Sequence, residues 1–384
     1  MTAGLVDIVI PVYRNHALTQ RCVESVLSDP DPVMGAVYLI NDATPEPELG
    51  KYCQQVAQDE RVELIEHSDN RGFVASVNEG FRLADGRDLV ILNSDTEVPK
   101  NWLSRLRAVA DQHSKAASIT PFSNNATICS YPNFCEDNDV PAGLDLGAVD
   151  ALFSDANSGQ AFEIPTGVGF CMYVRRRALD EVGEFDEDAF GRGYGEENDW
   201  CLRATGKGWK HLLAADVFVY HAGGASFGSD ASEYQANALK VISERYPNYN
   251  RYIAQFVEAD PIEVARYNVD AVRPDTKAVV DEYRRRERNL RQFRYALDRQ
   301  RHEQVVALDK LLQSTREEAM AEASRYEALL SSQRQDTAAS EVEYHRQINE
   351  MAAGYASLQR ELQTLQRFWP VRLRNWLHRK LGQR

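Results

Sequence analysis

The chain has 384 residues, 43% apolar and 27% charged, which suits a globular protein of two or three domains and excludes collagen-like, disordered and disulfide-scaffold classes. No apolar run approaches the ~20 residues of a membrane-spanning helix, and Met1 to Pro11 reads as lacking a secretory signal. A net charge of −14 argues against a general nucleic-acid binder.

In chain order, Val6 to Val12 is a short β-rich run, followed by a helical segment with Leu18, Cys22, Val26 and Leu27 on one face. Val37 to Ile40 is a second strand and stops at Asn41-Asp42; Tyr52 and Val56 mark another helix, and Val62 to Ile65 a third strand. Asn70-Arg71-Gly72 turns into a helix through Val74, Val77, Asn78 and Phe81, and Leu89 to Leu92 is a fourth strand ending at Asn93-Ser94-Asp95. This alternation predicts an α/β fold with a mostly parallel sheet and helices on both faces. Ligands of such sheets bind outside the carboxyl ends of the strands, where Pro11, Asp42, Asn70 and Asp95 all fall.

Residues 123–160, rich in Asn, Asp and Gly, read as a long insertion facing the active side. The run from 164 to 174 reads as a strand, Arg175 to Val182 as a short helix and Val217 to Tyr220 as a strand. Residues 231–275 read as a helix plus an irregular connector rich in Tyr, Asn and Pro. From 276 onward the pattern is heptad-like. Tyr344, Ile348, Met351, Tyr355, Leu358, Leu362 and Leu365 form one apolar seam, and Val305, Leu308, Leu312, Ala319, Ala323, Tyr326 and Leu330 form another, interrupted by Arg316. Ser331 to Ser340 lacks a large apolar residue and is a turn or a break.

Charge divides along the same line. Residues 276–384 hold 21 Lys and Arg against 15 Asp and Glu, a net of +6, whereas residues 1–275 hold 23 against 43, a net of −20. The six cysteines are scattered without a Cys-x-x-Cys pair and read as buried thiols in a reducing compartment, hence the cytoplasm.

Three polar clusters could do chemistry. Asn93-Ser94-Asp95 puts a carboxylate beside a second oxygen ligand at a strand end, which suits a divalent ion that also holds a diphosphate, although a polar turn has the same composition. Gly193-Tyr194-Gly195-Glu196-Glu197-Asn198-Asp199-Trp200 puts two adjacent carboxyls after a glycine-rich turn, where one could serve as a general base; acidic residues also favour a helix N-terminus for its dipole alone. Asp199 and Arg203, four apart, form a helix-face pair. His221 ends a strand beside Gly223 and Gly224, free to reach a metal or phosphate or simply to pack.

Taken together, Ile10-Pro11-Val12-Tyr13, Asn41-Asp42-Ala43-Thr44, Asn70-Arg71-Gly72-Phe73 and Leu92-Asn93-Ser94-Asp95-Thr96 resemble the family 2 glycosyltransferases of the GT-A fold. Gly167-Val168-Gly169-Phe170, Gly183-Glu184-Phe185-Asp186, Glu196-Glu197-Asn198-Asp199 and His221 to Ser226 resemble that family's later blocks, so the likeness covers about residues 6–230. The resemblance implies that Pro11, Val12 and Tyr13 line a nucleotide pocket, that Asp42 meets the base, and that Asn70 and Arg71 face the nucleotide or its phosphates. It implies that Asp95 and His221 hold Mg²⁺ or Mn²⁺, that Asn93 and Ser94 meet the sugar or ribose, and that Gly167, Val168 and Gly169 border the acceptor. Asn93 departs from the family's usual Asp-any-Asp. Glu197 falls on the usual catalytic base, with Glu196 its rival. The implied reaction is inverting transfer from a nucleotide sugar to a glycan or lipid-linked glycan, by analogy in bacterial surface polysaccharide assembly. The alternative is a non-catalytic coiled-coil scaffold carrying a degenerate transferase domain.

The expected organisation is a GT-A domain over 1–230, a connector over 231–275, a coiled coil or helical hairpin over 276–366, and a basic tail over 367–384. The seams favour a homo-oligomer. In the tail, Leu373, Trp376, Leu377 and Leu381 at helical spacing alternate with Arg372, Arg379 and Lys380, which suits peripheral attachment to an anionic inner membrane face; a capping helix would look alike.

Overall fold

The computed structural model describes residues 4–28, 31–84, 86–223, 231–274, 276–333 and 340–366. The chain divides into two compact units, Met1–Glu287 and Arg288–Arg384.

The first unit opens with β1 (Val6–Val12), α1 (His16–Ser28), β2 (Met34–Asn41), α2 (Pro47–Val56), β3 (Val62–Glu66), α3 (Phe73–Leu83) and β4 (Asp88–Leu92). These strands pair in parallel in the order β3-β2-β1-β4. Both faces are covered, and residue parity decides which side each side chain joins. Val6, Ile8, Ile10 and Val12 of β1 enter one core with Val37, Leu39, Val90 and Leu92; Val9 enters the other with Tyr38, Ile40, Leu89 and Ile91. Each fully buried Val, Leu or Ile contributes about 1.5–3 kcal/mol of transfer free energy, so a one-residue slip in β1 is strongly opposed.

After β4 the chain turns into β5 (Thr96–Glu97), α4 (Trp102–Gln112) and β6 (Ala116–Ser123), three elements the periodicity did not single out. The expected insertion then appears, with a 3₁₀ turn at Thr127–Cys129 and α5 (Leu146–Asn157), whose N-cap Asp145 accepts the Ala148 N–H. The 164–174 run is a correction. It is not one strand but β7 (Ala161–Ile164) and β8 (Cys171–Val174), because Thr166 to Gly169 leaves the ladder as an irregular bend. The sheet is completed by β9 (Lys210–His221), far longer than its predicted Val217–Tyr220. β8 lies antiparallel between β4 and β6, β9 runs parallel to β6, and the far edge of β9 carries β7 and, at its end, β5.

Between β8 and β9 lie α6 (Arg176–Val182), α7 (Glu187–Phe190) and α8 (Glu196–Gly206). Residues 231–275 are not irregular. They form α9 (Ala231–Arg245), α10 (Tyr249–Ala259) and α11 (Glu263–Val272), and Ala238, Ile242, Val257, Ile262, Ala265 and Val269 enter the two cores. All six cysteines are free thiols, five buried and Cys135 exposed.

The remaining helices are α12 (Thr276–Gln333) and α13 (Ser340–Gln366). In the second unit the Tyr326 and Tyr344 rings meet edge to face with centroids 5.0 Å apart, so the two seams approach each other within one chain. Seam positions such as Tyr326, Leu330, Met351, Tyr355 and Leu358 are half-buried, but Ile348 is 40% exposed and Gln347 takes the half-buried place beside it. The tail 367–384 lies outside the described residues. No described helix is long and apolar enough to cross a membrane.

Gly80 sits where α3 crosses β1, and a Cβ there would overlap both γ-carbons of Val9. Gly80→Ala should therefore lower unfolding free energy by about 1–3 kcal/mol. Urea denaturation would read this, with partial recovery expected in the Gly80→Ala, Val9→Ala double variant.

Candidate active site

A cleft of about 320 Å³ opens along the carboxyl ends of β1, β2 and β4. Its floor begins with Pro11, Val12, Tyr13 and Arg14, where β1 gives way to α1. The Glu46 carboxylate accepts the backbone N–H groups of Asn15 and His16, at 3.0 and 3.1 Å, and so fixes that exit. Asp42, just past β2, is buried and lines the cleft. Its Oδ1 accepts from the Arg71 N–H and pairs with His67 Nδ1, each at 2.7 Å, and its Oδ2 accepts the Gly72 N–H at 2.8 Å. Asp42 thus ties the loop before α3 to the end of β2. Asn70 in that loop faces the cleft, its Oδ1 buried without a partner. Arg71 does not line the cleft. Its guanidinium turns to Glu79 on α3, 2.9 Å away, because Glu79 also needs a cationic or N–H partner beside His67.

Asn93 and Ser94 follow β4 and line the cleft, and the Asn93 Oδ1 is likewise buried and unpartnered. The two-residue β5 pairs Thr96 with His221, and the Ala222 N–H donates to the Asp95 carbonyl at 3.0 Å. This ladder brings Asp95 Oδ1 to 3.4 Å from His221 Nε2. The His221 ring is oriented by Nδ1 against the Asn125 carbonyl at 2.6 Å and by stacking on Phe170, with centroids 5.2 Å apart. Burial opposes the imidazolium, but the Asp95 carboxylate and the Asn125 carbonyl outweigh it and raise the His221 pKa. Among the described residues no three His, Cys, Asp or Glu side chains gather as a metal cluster, so Asp95 and His221 stand as a pair. One carboxylate and one imidazole, with room for oxygens of a bound diphosphate, is a donor set that fits Mg²⁺ or Mn²⁺.

The opposite wall is built from the bend before β8 and the start of α8. Val168 and Gly169 line the cleft. Gly167 does not; it is buried, its N–H faces Cys201 Sγ at 3.2 Å, and a Cβ would meet Ser118 and Met172. Glu196 and Glu197 begin α8. Their approach is the tight loop Gly191 to Gly195, in which Gly191, Gly193, Tyr194 and Gly195 all have positive φ. Gly195, at φ +86°, N-caps α8 where Ala238 and Phe190 leave no room for a Cβ. Glu196 is buried, with its Oε2 lacking a partner, whereas Glu197 is half-buried. Desolvation raises both carboxyls, Glu196 well above the ordinary range because the Glu197 charge adds to burial. Backbone N–H groups at the start of α8 oppose the rise at Glu197. Asp199 is fully buried and accepts from Arg203 at 2.8 Å, and from Arg245 and the Tyr246 hydroxyl at 2.9 Å each, which fastens α8 to α9 and its end.

Sequence reasoning did not single out Arg14, Phe73, Ser76, Arg192, Tyr194 or Tyr234, all of which line the cleft, nor Asn124 and Asn125, which bracket His221. The Asn-rich composition of the insertion was the available signal for the last two.

Comparison with known proteins agrees with this geometry. Residues 7–183 match Glycosyl transferase family 2. These residues are a family 2 glycosyltransferase domain. Glycosyltransferase AglE of Haloferax volcanii is 22% identical over 221 residues, which cover 57% of this chain and 67% of that protein. Glycosyltransferase GlyG of Streptococcus pneumoniae is 29% identical over 104 residues, 27% of this chain and 34% of that one. A crystal structure of GalNAc-T7 with UDP, GalNAc and Mn²⁺ superimposes with a TM-score of 0.50 at 17% identity, covering 67% of this chain and 50% of that one, and supports the GT-A fold. The chain thus spans two thirds of AglE, half of GalNAc-T7 and about a third of GlyG.

Glu196 gives the first unit a pH signature. A buried carboxyl whose native pKa is raised binds its proton more tightly in the folded state, so its contribution to stability is present below the unfolded value of about 4.3 and is lost as pH rises. Glu196→Gln removes that loss. Urea unfolding between about pH 5 and pH 8 should show the variant gaining on the parent as pH rises; a constant difference would contradict burial of an ionisable Glu196.

Proposed function

We propose that the chain transfers a sugar from a nucleotide-sugar donor to a hydroxyl of a glycan or lipid-linked glycan, with inversion, in the assembly of a bacterial surface polysaccharide. The observation that carries this reading is the sharing of one cleft by three kinds of group: His221, with Asp95 behind it and not itself lining the cleft, the half-buried Glu197, and Asn70 and Asn93 with their unpartnered oxygens. A buried polar atom without a partner costs about 1–3 kcal/mol, so two buried, unpartnered carbonyl oxygens on residues that line the cleft favour a ligand with N–H or O–H groups.

In this reading Pro11, Val12, Tyr13, Asp42 and Asn70 hold the nucleoside, and Asn93 and Ser94 the ribose or sugar. Asp95 and His221 would hold Mg²⁺ or Mn²⁺, and the ion when bound neutralises the diphosphate leaving group. Val168 and Gly169 border the acceptor. Between the two carboxyls, Glu197 is the base. Both line the cleft, but Glu197 is the more exposed and has more backbone N–H groups opposing the rise of its pKa, whereas Glu196 is buried and is raised further because the Glu197 charge adds to burial. Glu197 takes the acceptor proton as the hydroxyl attacks from the face opposite the nucleotide, and inversion follows from that single displacement.

The test is a panel of nucleotide sugars scored by thermal shift and hydrolysis, with and without Mn²⁺. Glu197→Gln should keep the nucleotide-induced thermal shift while transfer falls by roughly 10²–10⁴-fold. Full transfer in that variant removes Glu197 from the role, and product of retained anomeric configuration by NMR removes the inverting mechanism.

The acceptor class draws its support from the tail. Arg367 to Leu381 contains no acid and alternates Trp and Leu with Arg and Lys, a pattern that binds anionic lipid surfaces. Truncation after Gln366 should abolish co-sedimentation with phosphatidylglycerol vesicles. Equal binding of full-length and truncated chains would remove the membrane from the proposal.

A further inference from the structure

Glu197, itself past the matched residues 7–183, is supported by a side chain from a later helix. Its Oε1 accepts from Asn198 Nδ2 at 3.1 Å, and Asn198 Oδ1 in turn accepts from the Tyr249 hydroxyl at 2.6 Å. Tyr249 is the first residue of α10, well beyond the matched residues 7–183. Resting on the reading of Glu197 as the base, we propose that Asn198 and Tyr249 are positioning residues that hold its carboxylate in place for proton abstraction.

A primary amide is two-faced: rotated by half a turn it offers a carbonyl where it had offered N–H. The Tyr249 hydroxyl, by donating to Oδ1, leaves the NH₂ group facing Glu197. An N–H donor favours the charged carboxylate, whereas a carbonyl in its place would repel it. The surroundings need such a donor. Glu196, Tyr194 and Cys201 from the same stretch of chain and Tyr249 from α10 each feel the Glu197 charge, and all are acids; Arg14, Arg192 and His221 line the same cleft. Alongside the backbone N–H groups of α8, the Asn198 amide is a side-chain donor that favours the anion, and it adds a further hold on the carboxylate at the mouth of the helix. The support is rigid, because the neighbouring Asp199 is pinned by Arg203, Arg245 and Tyr246.

The test reads the ionisation of Glu197 directly in the full-length chain. Carboxyl carbons of ¹³C-glutamate-labelled protein are titrated by NMR, and the Glu197 signal is assigned by its loss in Glu197→Gln. Asn198→Asp should move the midpoint of that signal up by about one pH unit. Tyr249→Phe, which removes one atom and keeps the ring in place, should move it in the same direction by less. In parallel, kcat for hydrolysis of UDP-glucose, UDP-N-acetylglucosamine or GDP-mannose, whichever turns over, should fall about tenfold or more in Tyr249→Phe with KM within about twofold. A Glu197 midpoint that stays put in Tyr249→Phe overturns the relay even if Asn198→Asp fails to fold. Loss of kcat that merely follows a lowered melting temperature does the same. Failure of the underlying reading is distinct: a fully active Glu197→Gln chain would remove the base assignment, while an inactive one with an unmoved midpoint in Tyr249→Phe rejects the relay alone.

Discussion

The sheet is covered on both faces, and that constraint shapes the rest of the molecule. Each strand side chain of β1, β2 and β4 must serve one core or the other, so polar groups concentrate where the strands stop. Asp42, Asn93 and Asp95 all stand at such ends, and each strand delivers its residue to the same edge because β1, β2 and β4 run in parallel. The convergence of the site follows from topology before any side-chain contact is considered. The contacts then decide roles: the Asp42 carboxylate is largely taken up by the 67–72 loop, whereas the Asn70 and Asn93 oxygens are buried without a partner on residues that line the cleft.

The opposing wall obeys a different constraint. Two adjacent carboxyls at the start of α8 gain from the helix N-terminus, yet they are enclosed by protein and repel each other. The approach to the helix carries a cost of its own, in backbone strain. Tyr194 adopts φ +70°, a conformation non-glycine residues rarely hold, between glycines that also lie at positive φ. The strain persists because the loop is fixed at both sides, by the Phe73 N–H to the Arg192 carbonyl and by the anchoring of Asp199 to Arg203, Arg245 and Tyr246. The result is an asymmetric pair at one cleft, one carboxyl buried and one half-buried, from two residues that look equivalent in the sequence.

How much of this was legible depended on the signal each element carries. Strands β1 to β4 were readable because bulky β-branched residues end at clear turn residues. β6 was not, since Ala116-Ala117-Ser118-Ile119-Thr120-Pro121-Phe122-Ser123 is buried at every position and mixes small and hydroxyl side chains with a proline, so neither alternation nor a bulky run marks it. The 164–174 run misled because Gly167 and Gly169 are apolar enough to continue a strand pattern but leave the ladder. Helices α9 to α11 were obscured by surface Tyr and Asn, although Ile242, Val257 and Val269 are core residues. Within the site, motif order located both walls, but it could not say that Arg71 turns away to Glu79 or that Gly167 lies in the core. Those outcomes depend on partners distant in sequence, such as Ser118 and Cys201 for Gly167.

The departure of Asn93 from the acidic residue common in the family changes the charge arithmetic of the cleft. In the proposed reading, a second carboxylate beside Asp95 would add negative charge near the donor's diphosphate and take up part of a divalent ion's charge, whereas an amide at 93 and an imidazole at 221 would leave more of that charge for the phosphate oxygens. The same substitution weakens what the protein alone offers a cation, so in the proposed reading ion and donor depend on each other for binding. The opposite wall carries the carboxyls Glu196 and Glu197, whose burial disfavours the charged form, so in the proposed reading a proton taken up there from the acceptor relieves a cost the fold already bears.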